Sequence, residues 1–420
     1  MLDGIFLADG LGVLDVYEGR PDAVMRSGAM FPANDPMMLL PTMAAVTRNL
    51  CFGVTANTTS EPPYLLARRF STLDHLTRGR ISWNVVTGIL ASTAAAMGRS
   101  RTPIPHDRRY DIADEYMDLV YQLWEGGWED DAAVWNKQTR IFTDPAKVHK
   151  IHHHGENYAC DGLYLCEPSP QRTPFLYAAG ASGRGVAFAG KHAEAAFLSA
   201  SNMSHAKQVT DGYRRATAAE AGRSPASIKV FNAATIIVAP SEAEARDLER
   251  QYQDYSSTEG NLAMVSAWTG IDLSTYDPEA PIEYVEGDAI QSIVEAMTKY
   301  NKGDKVLVRD LAKFADVPGR EAFIVGSTAQ VCDAMIDWIE TTGMDGFNLV
   351  RTVEPDGLKS FVDLVVPALQ DRGCYKTRYA PGTMREKMFP GRGSRLDSAH
   401  YASRFKVQSS AAASVVRTGA

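Results

Sequence analysis

The chain is 420 residues long, 45% apolar and 22% charged, with a formal net charge of −8. That length can bury one large core or two smaller ones, and an acidic balance argues against nucleic acid or an anionic membrane as the main partner. The five cysteines (Cys51, Cys160, Cys166, Cys332 and Cys374) are scattered and form no CxxC pair. They suggest neither a disulfide framework nor a thiolate metal site, so a reducing, cytoplasmic setting is expected. The opening MLDGIFLADGLG lacks the basic and apolar blocks of a signal peptide, and no run approaches the roughly 18 apolar residues that span a bilayer.

In chain order, Leu2 to Asp9 reads as a short, fully buried strand. Asp35 caps a helix that has Pro36 in its first turn and runs to Val46. Leu50 to Thr58 is a strand with polar residues at its C-terminal end. Leu65, Leu66, Phe70, Leu73 and Leu76 then recur at helical spacing, Gly79 and Arg80 stop that helix, and Ile81 to Thr87 is the next strand.

Gly88 to Arg108 reads as irregular, Asp107 to about Trp128 as a helix, and 129–172 as mostly loop. Further strands are expected at 174–180, 195–199, 228–239 and 346–352, with helices at 183–192, 204–221, 241–255, 328–341 and 357–369. Residues 256–320 read as a polar and helical insertion, part of a lid. Residues 1–374 read as one α/β domain with that insertion, and 375–420 as a surface extension ending in a disordered tail, SSAAASVVRTGA. Seven apolar strands separated mainly by helices predict a parallel sheet covered on both faces, either doubly wound or one strand short of a (β/α)8 barrel.

Three constellations could carry chemistry. Gly180, Ala181, Ser182, Gly183, Arg184 and Gly185 join a strand to a helix, and a helix N-terminus with close backbone approach suits a phosphate. The glycine spacing is not the dinucleotide fingerprint, and a plain strand-to-helix turn is an equal reading. His106 and Tyr110 stand at i, i+4 on one helical face, which offers two donors to an anion, although taken alone the pair reads more readily as a local surface contact. Asp9, Thr55 with Asn57, and Asn84 with Thr87 fall at strand C-termini and would meet at a barrel mouth; each alone could be a loop cap. His152, His153 and His154 alternate across an extended chain without a carboxylate or cysteine at ligand spacing, so no metal is assigned.

LADGL (7–11), VTANTTSEPPYLLARRFSTLDHLTRGRISWNVVTG (54–88), HDRRYDIADEYMDLVYQLW (106–124) and AAGASGRGVAFAGKHAEAAF (178–197) together resemble one family. It is the bacterial-luciferase-like flavin-dependent monooxygenases, in the group of nitrilotriacetate and dibenzothiophene-sulfone monooxygenases. The resemblance implies an α/β TIM barrel using FMN as FMNH2, with O2 as co-substrate. A separate NAD(P)H:flavin reductase would supply the flavin, and a flavin C4a-peroxide would insert one oxygen into a small organic substrate. It places flavin contacts on Asp9, Thr55, His106, Tyr110 and Ser182, with Asn84 second in rank and no catalytic residue singled out. Ser182, His106 and Tyr110 would face the phosphate, and Asp9 and Thr55 the ring. A homo-oligomer, dimer or tetramer, is expected. Set against the family pattern, Leu2–Asp9 aligns with a second strand, so the barrel is expected to lack its first βα unit. A truncated or degenerate flavin-binding protein without turnover is the alternative, and a barrel holding another phosphate-bearing ligand a third reading.

Overall fold

The computed structural model describes residues 1–407 apart from 89, 101, 103, 221, 282–306 and 318–320. Twelve strands are described, in chain order β1 (Gly4–Leu7), β2 (Cys51–Asn57), β3 (Ile81–Val86), β4 (Ala133–Asn136), β5 (Ile141–Thr143), β6 (Lys150–His154), β7 (Ala159–Leu163), β8 (Phe175–Ala178), β9 (Ala195–Leu198), β10 (Lys229–Ala239), β11 (Ala322–Ser327) and β12 (Gly346–Val350). Eight of them form one sheet in the order β1-β2-β3-β8-β9-β10-β11, with β12 also paired to β10. Every ladder in it is parallel. The alternating helices cover it as parallel sheets require, and the result is an α/β fold around a parallel central sheet.

The 11-residue β10 carries three neighbours. Asn232 faces Leu198 of β9 and Phe347 of β12, so these lie on opposite edges. Ala234 faces Leu349 of β12 and Ala322 of β11. Hence β9 and β11 lie end to end along one edge of β10, and β12 takes the other. Among the described residues no ladder joins β1 to β12.

The Pro63–Thr77 helix shows how the core is made. Leu66, Phe70 and Leu73 are buried, while Leu65 and Leu76, expected on the same face, point to solvent. Phe70 packs on Trp83 of β3, ring centroids 5.5 Å apart, and Trp83 meets Trp124 edge-on at 6.2 Å. Full burial of each such side chain contributes about 1.5–3 kcal/mol. At the helix C-terminus Arg78 and Gly79 take left-handed conformations, φ 55° and 79°, which ends the helix and turns the chain into β3.

Several expectations change. The eighth sheet strand, β11, is not among the seven expected; it follows the 256–320 segment and pairs only with the far half of β10. Leu2–Asp9 shortens to Gly4–Leu7 and is a half-buried edge rather than a fully buried strand. Residues 88–108 contain a helix, Ala91–Ala96, and 129–172 contain two antiparallel hairpins, β4–β5 and β6–β7, rather than mostly loop. Of the 256–320 segment, the Thr258–Thr269 helix packs Ala263 and Ala267 against Leu14 and against Ala23 and Val24 of the short Asp22–Ser27 helix that follows β1.

The largest correction concerns 375–407. Met384, Arg385, His400 and Ala402 are all buried, so this stretch is part of the body and not a surface extension. The guanidinium of Arg385 pairs with Glu194 at 2.6 Å and donates to the Thr173 carbonyl at 3.0 Å. The Met384 N–H donates to the Gly79 carbonyl at 2.7 Å. These partners all precede strands, so the segment closes the N-terminal end of the sheet. The SSAAASVVRTGA tail lies outside the described residues. Among the described residues no helix is long and apolar enough to cross a membrane.

Candidate functional site

The C-terminal ends of β2, β3 and β8 lie side by side in register, with Thr55 opposite Asn84 and Asn84 opposite Tyr177. Asn84 Nδ2 donates to Thr55 Oγ1 at 3.1 Å, and both side chains are buried. Asn84 Oδ1 is buried and has no hydrogen-bond partner among the described residues. A buried amide oxygen left unmatched costs on the order of 1–3 kcal/mol, a cost that an incoming N–H donor would relieve. Asn57 has a different duty: its side-chain Oδ1 accepts from the Thr59 N–H and hydroxyl, both at 2.8 Å, and shapes the loop.

The second part of the site lies beyond β8. Ser182 is the N-cap of the Gly183–His192 helix, its Oγ accepting from the Gly185 N–H at 3.1 Å. The same Oγ stands 3.2 Å from His106 Nε2. His106 opens the His106–Tyr121 helix, and its ring meets that of Tyr110 edge-on at 5.2 Å. Burial raises the Tyr110 phenol above its ordinary range, and the Ser182 hydroxyl beside it pulls back part of that shift. A Cβ on Gly180 would stand 2.5 Å from Tyr110 Oη, and one on Gly185 2.8 Å from it. These two glycines are therefore what lets the phenol reach the turn. Tyr213 holds the turn from behind, its hydroxyl donating to the Gly180 carbonyl at 3.0 Å. A mid-helix tyrosine reads as core in sequence, so its role was not visible there.

The structure thus brings His106, Tyr110 and Ser182 into one cluster and Thr55 and Asn84 into another, both at the C-terminal end of the sheet. Asp9 lies in the loop after β1, half-buried. Desolvation and the nearby Asp35 raise its carboxyl, with the Gly10 N–H opposing them. Among the described residues it exchanges no hydrogen bond with the other four. The three histidines of β6 alternate as an extended strand requires. His152 and His154 both meet Asp161 at 2.8 Å on the exposed face, and His153 turns in toward Gln122 at 3.0 Å.

The clusters can do two things. The first-turn N–H groups of a capped helix, with a serine hydroxyl and an imidazole beside them, make a seat for a dianionic phosphate. The Asn84 amide, one end tied and one end free, can fix a planar polar ring. The family model for luciferase-like monooxygenases matches residues 13–346. The chain belongs to that family.

Other luciferase-like monooxygenases align along nearly its whole length. It is 43% identical over 404 residues to the dimethyl-sulfide monooxygenase of Hyphomicrobium sulfonivorans, covering 96% of this chain and 84% of the relative. It is also 43% identical to the long-chain alkane monooxygenase of Geobacillus thermodenitrificans, covering 96% and 87%. A solved riboflavin lyase with modified FMN and riboflavin superposes with a TM-score of 0.90 at 36% identity, over 97% of this chain and 89% of that one. The chain is therefore a monooxygenase of the luciferase-like TIM-barrel type, as the sequence resemblance implied.

Proposed function

We propose that this luciferase-like monooxygenase is the oxygenase of a two-component system. It would take FMNH2 from a separate NAD(P)H:flavin reductase and place one atom of O2 into a small organic substrate, the other leaving as water. The observation that carries the reading is the pairing of two matched seats at one end of the sheet: a phosphate seat at Ser182, His106 and Tyr110, and the unsatisfied Asn84 Oδ1 beside Thr55. Both parts of FMN fit the residues present.

In this reading the helix N-terminus and the Ser182 hydroxyl bind the phosphate, and His106 adds a second donor. Its Nδ1 stands 2.7 Å from the Asp107 carboxylate, which holds the ring with Nε2 toward Ser182. Asn84 orients the ring system, with Thr55 fixing its amide. Asp9, with its raised carboxyl, stands at the same end as a proton donor or acceptor on the ring side. Bound reduced FMN supplies the two electrons that O2 needs; the protein supplies position and a dry pocket.

We also propose that the barrel closes through one further strand with its helix, seated between β1 and β12, since β9 and β11 share one position beside β10 and the eight sheet strands fill seven. The support is that among the described residues the outer edges of β1 and β12 have no ladder partner, edges that a barrel does not leave open. The same gap favours a second reading, flavin binding without turnover. Quenching of FMN fluorescence and reductase-dependent O2 uptake test both, with organosulfur compounds and alkanes first in the panel because two relatives are named for these. Binding with no substrate-dependent uptake favours the second reading; no binding at all ends both.

A further inference from the structure

At the opposite end of the sheet the C-terminal segment lines a half-open cavity of about 400 Å³, a size typical of small-molecule sites. Four guanidinium groups line it, those of Arg223, Arg385, Arg392 and Arg395, against two carboxylates, Glu194 and Asp397. The remaining titratable group, His400, adds no charge. Its Nδ1 accepts from the Ala402 N–H at 3.1 Å while Nε2 donates to the His192 carbonyl at 2.9 Å, which is the neutral ring.

The cations are unevenly matched. Arg385 is satisfied by Glu194. Arg223 is buried and its guanidinium donates to the carbonyls of Gly190, Lys191, Ala193 and Ser227; Glu194, Glu220 and Asp397 act on its charge without pairing directly with it. Arg392 and Arg395 hold Asp397 and Asp130 at a loose 3.3 Å each, and Arg395 Nη1 is buried without a partner. Burial pushes both Arg223 and Arg395 below the ordinary arginine range, and for Arg395 the charge of Arg172 adds to it. Four arginines face the cavity against Glu194 and Asp397, with Asp130 behind Arg395, and the two partly exposed ones hold their carboxylates loosely, so an oxyanion in the cavity can take up their free N–H groups. Arginine's planar fork suits carboxylate and phosphate alike.

We propose that this arginine-lined cavity, distant from the flavin seat, binds a multivalent oxyanion, phosphate- or carboxylate-bearing, that clasps the 385–400 segment to the sheet. The partly exposed Arg392 and Arg395 are the gripping residues, and the buried Arg223 supplies the field. The site does not depend on the flavin reading.

Titration calorimetry with inorganic phosphate and with citrate, at ionic strength fixed by chloride, tests it. Saturable binding of either anion is expected, with a rise in melting temperature that chloride does not reproduce; the tighter anion identifies the headgroup. Arg392→Gln with Arg395→Gln should weaken the affinity at least tenfold. Ser224→Glu, which sets a carboxylate at the rim, should weaken it as well and serves if the double variant folds poorly. Ser182→Ala should leave it intact, which separates this cavity from the FMN seat. The proposal is overturned if neither anion saturates, if chloride stabilises equally, if both variants at the rim bind as before, or if Ser182→Ala abolishes binding.

Discussion

At the N-terminal end of the strands, outside the arginine-lined cavity, most buried polar side chains find partners among the described residues, Gln171 Oε1 being an exception. Arg80 gives hydrogen bonds to Ala44, Thr47, Leu50 and Thr77, Gln171 gives two to Asp74 at 2.7 Å, and Arg385 binds Glu194 through two nitrogens. At the C-terminal end the polar groups are fewer and looser: Asn84 keeps one oxygen without a partner, and Ser182 divides one oxygen between its own helix and His106. A saturated network holds a fold, and an unsaturated one keeps capacity for a ligand. Substitutions at the first end should therefore cost stability, and those at the second should cost binding.

The largest effect is expected from Arg385→Met, which strands a buried carboxylate. Urea unfolding should show a loss of about 3–5 kcal/mol, and adding Glu194→Leu should return much of it. If the single variant unfolds like the parent, the N-terminal network is not what holds the 375–407 segment.

Next is Gly180→Ala, whose methyl would displace Tyr110 Oη from 2.5 Å. A stability loss of about 1–3 kcal/mol is expected from the overpacking, with FMN affinity down more than tenfold. Fluorescence titration separates the two, and unchanged affinity would place the phosphate elsewhere.

The pH dependence sharpens the contrast. Burial, with Arg223 beside it, holds His400 well below the ordinary 6.5 in the folded chain. The unfolded chain takes up that proton first, so this contribution is complete above about pH 6.5. It falls as the pH drops toward the depressed folded value, by up to ~1.4 kcal/mol per unit. His400→Asn should flatten that slope between pH 6.5 and 5 in denaturant titrations. The smallest expected effect on stability is that of Ser182→Ala, about 1 kcal/mol from the lost N-cap. Its FMN affinity should fall about tenfold, and a variant that binds FMN as tightly as the parent would remove Ser182 from the seat.

What was legible in the sequence follows from local physics. Asp35 and Ser182 cap helices where their side chains accept from Met37 and Gly185 N–H groups, and the Gly183–His192 helix has the bounds its spacing predicts. His106 and Tyr110 meet because i and i+4 share a face. The site itself needed strands distant in sequence to lie side by side, and only the family pattern linked Thr55 to Ser182. Burial of Arg385 was not legible, since a lone arginine among Met384, Lys387 and Met388 carries no periodicity. The hairpins at 133–163 escaped for a related reason: β4 and β5 each leave large apolar side chains exposed, so the alternation of a half-buried sheet is absent. The register of β11 depends on β10 alone.

That last dependence has an evolutionary side. Because β10 runs past the end of β9, it offers a free berth on its own edge, and β11 docks there. A chain that leaves β10 can wander through a helix and a long excursion, then return to the strand it left and be re-zeroed before β12 begins. Excursions of different length or sequence would all restart from that berth. The segment between them could thus be exchanged as a cassette, with β10 and β11 as its fixed joint, without disturbing the turn at Ser182.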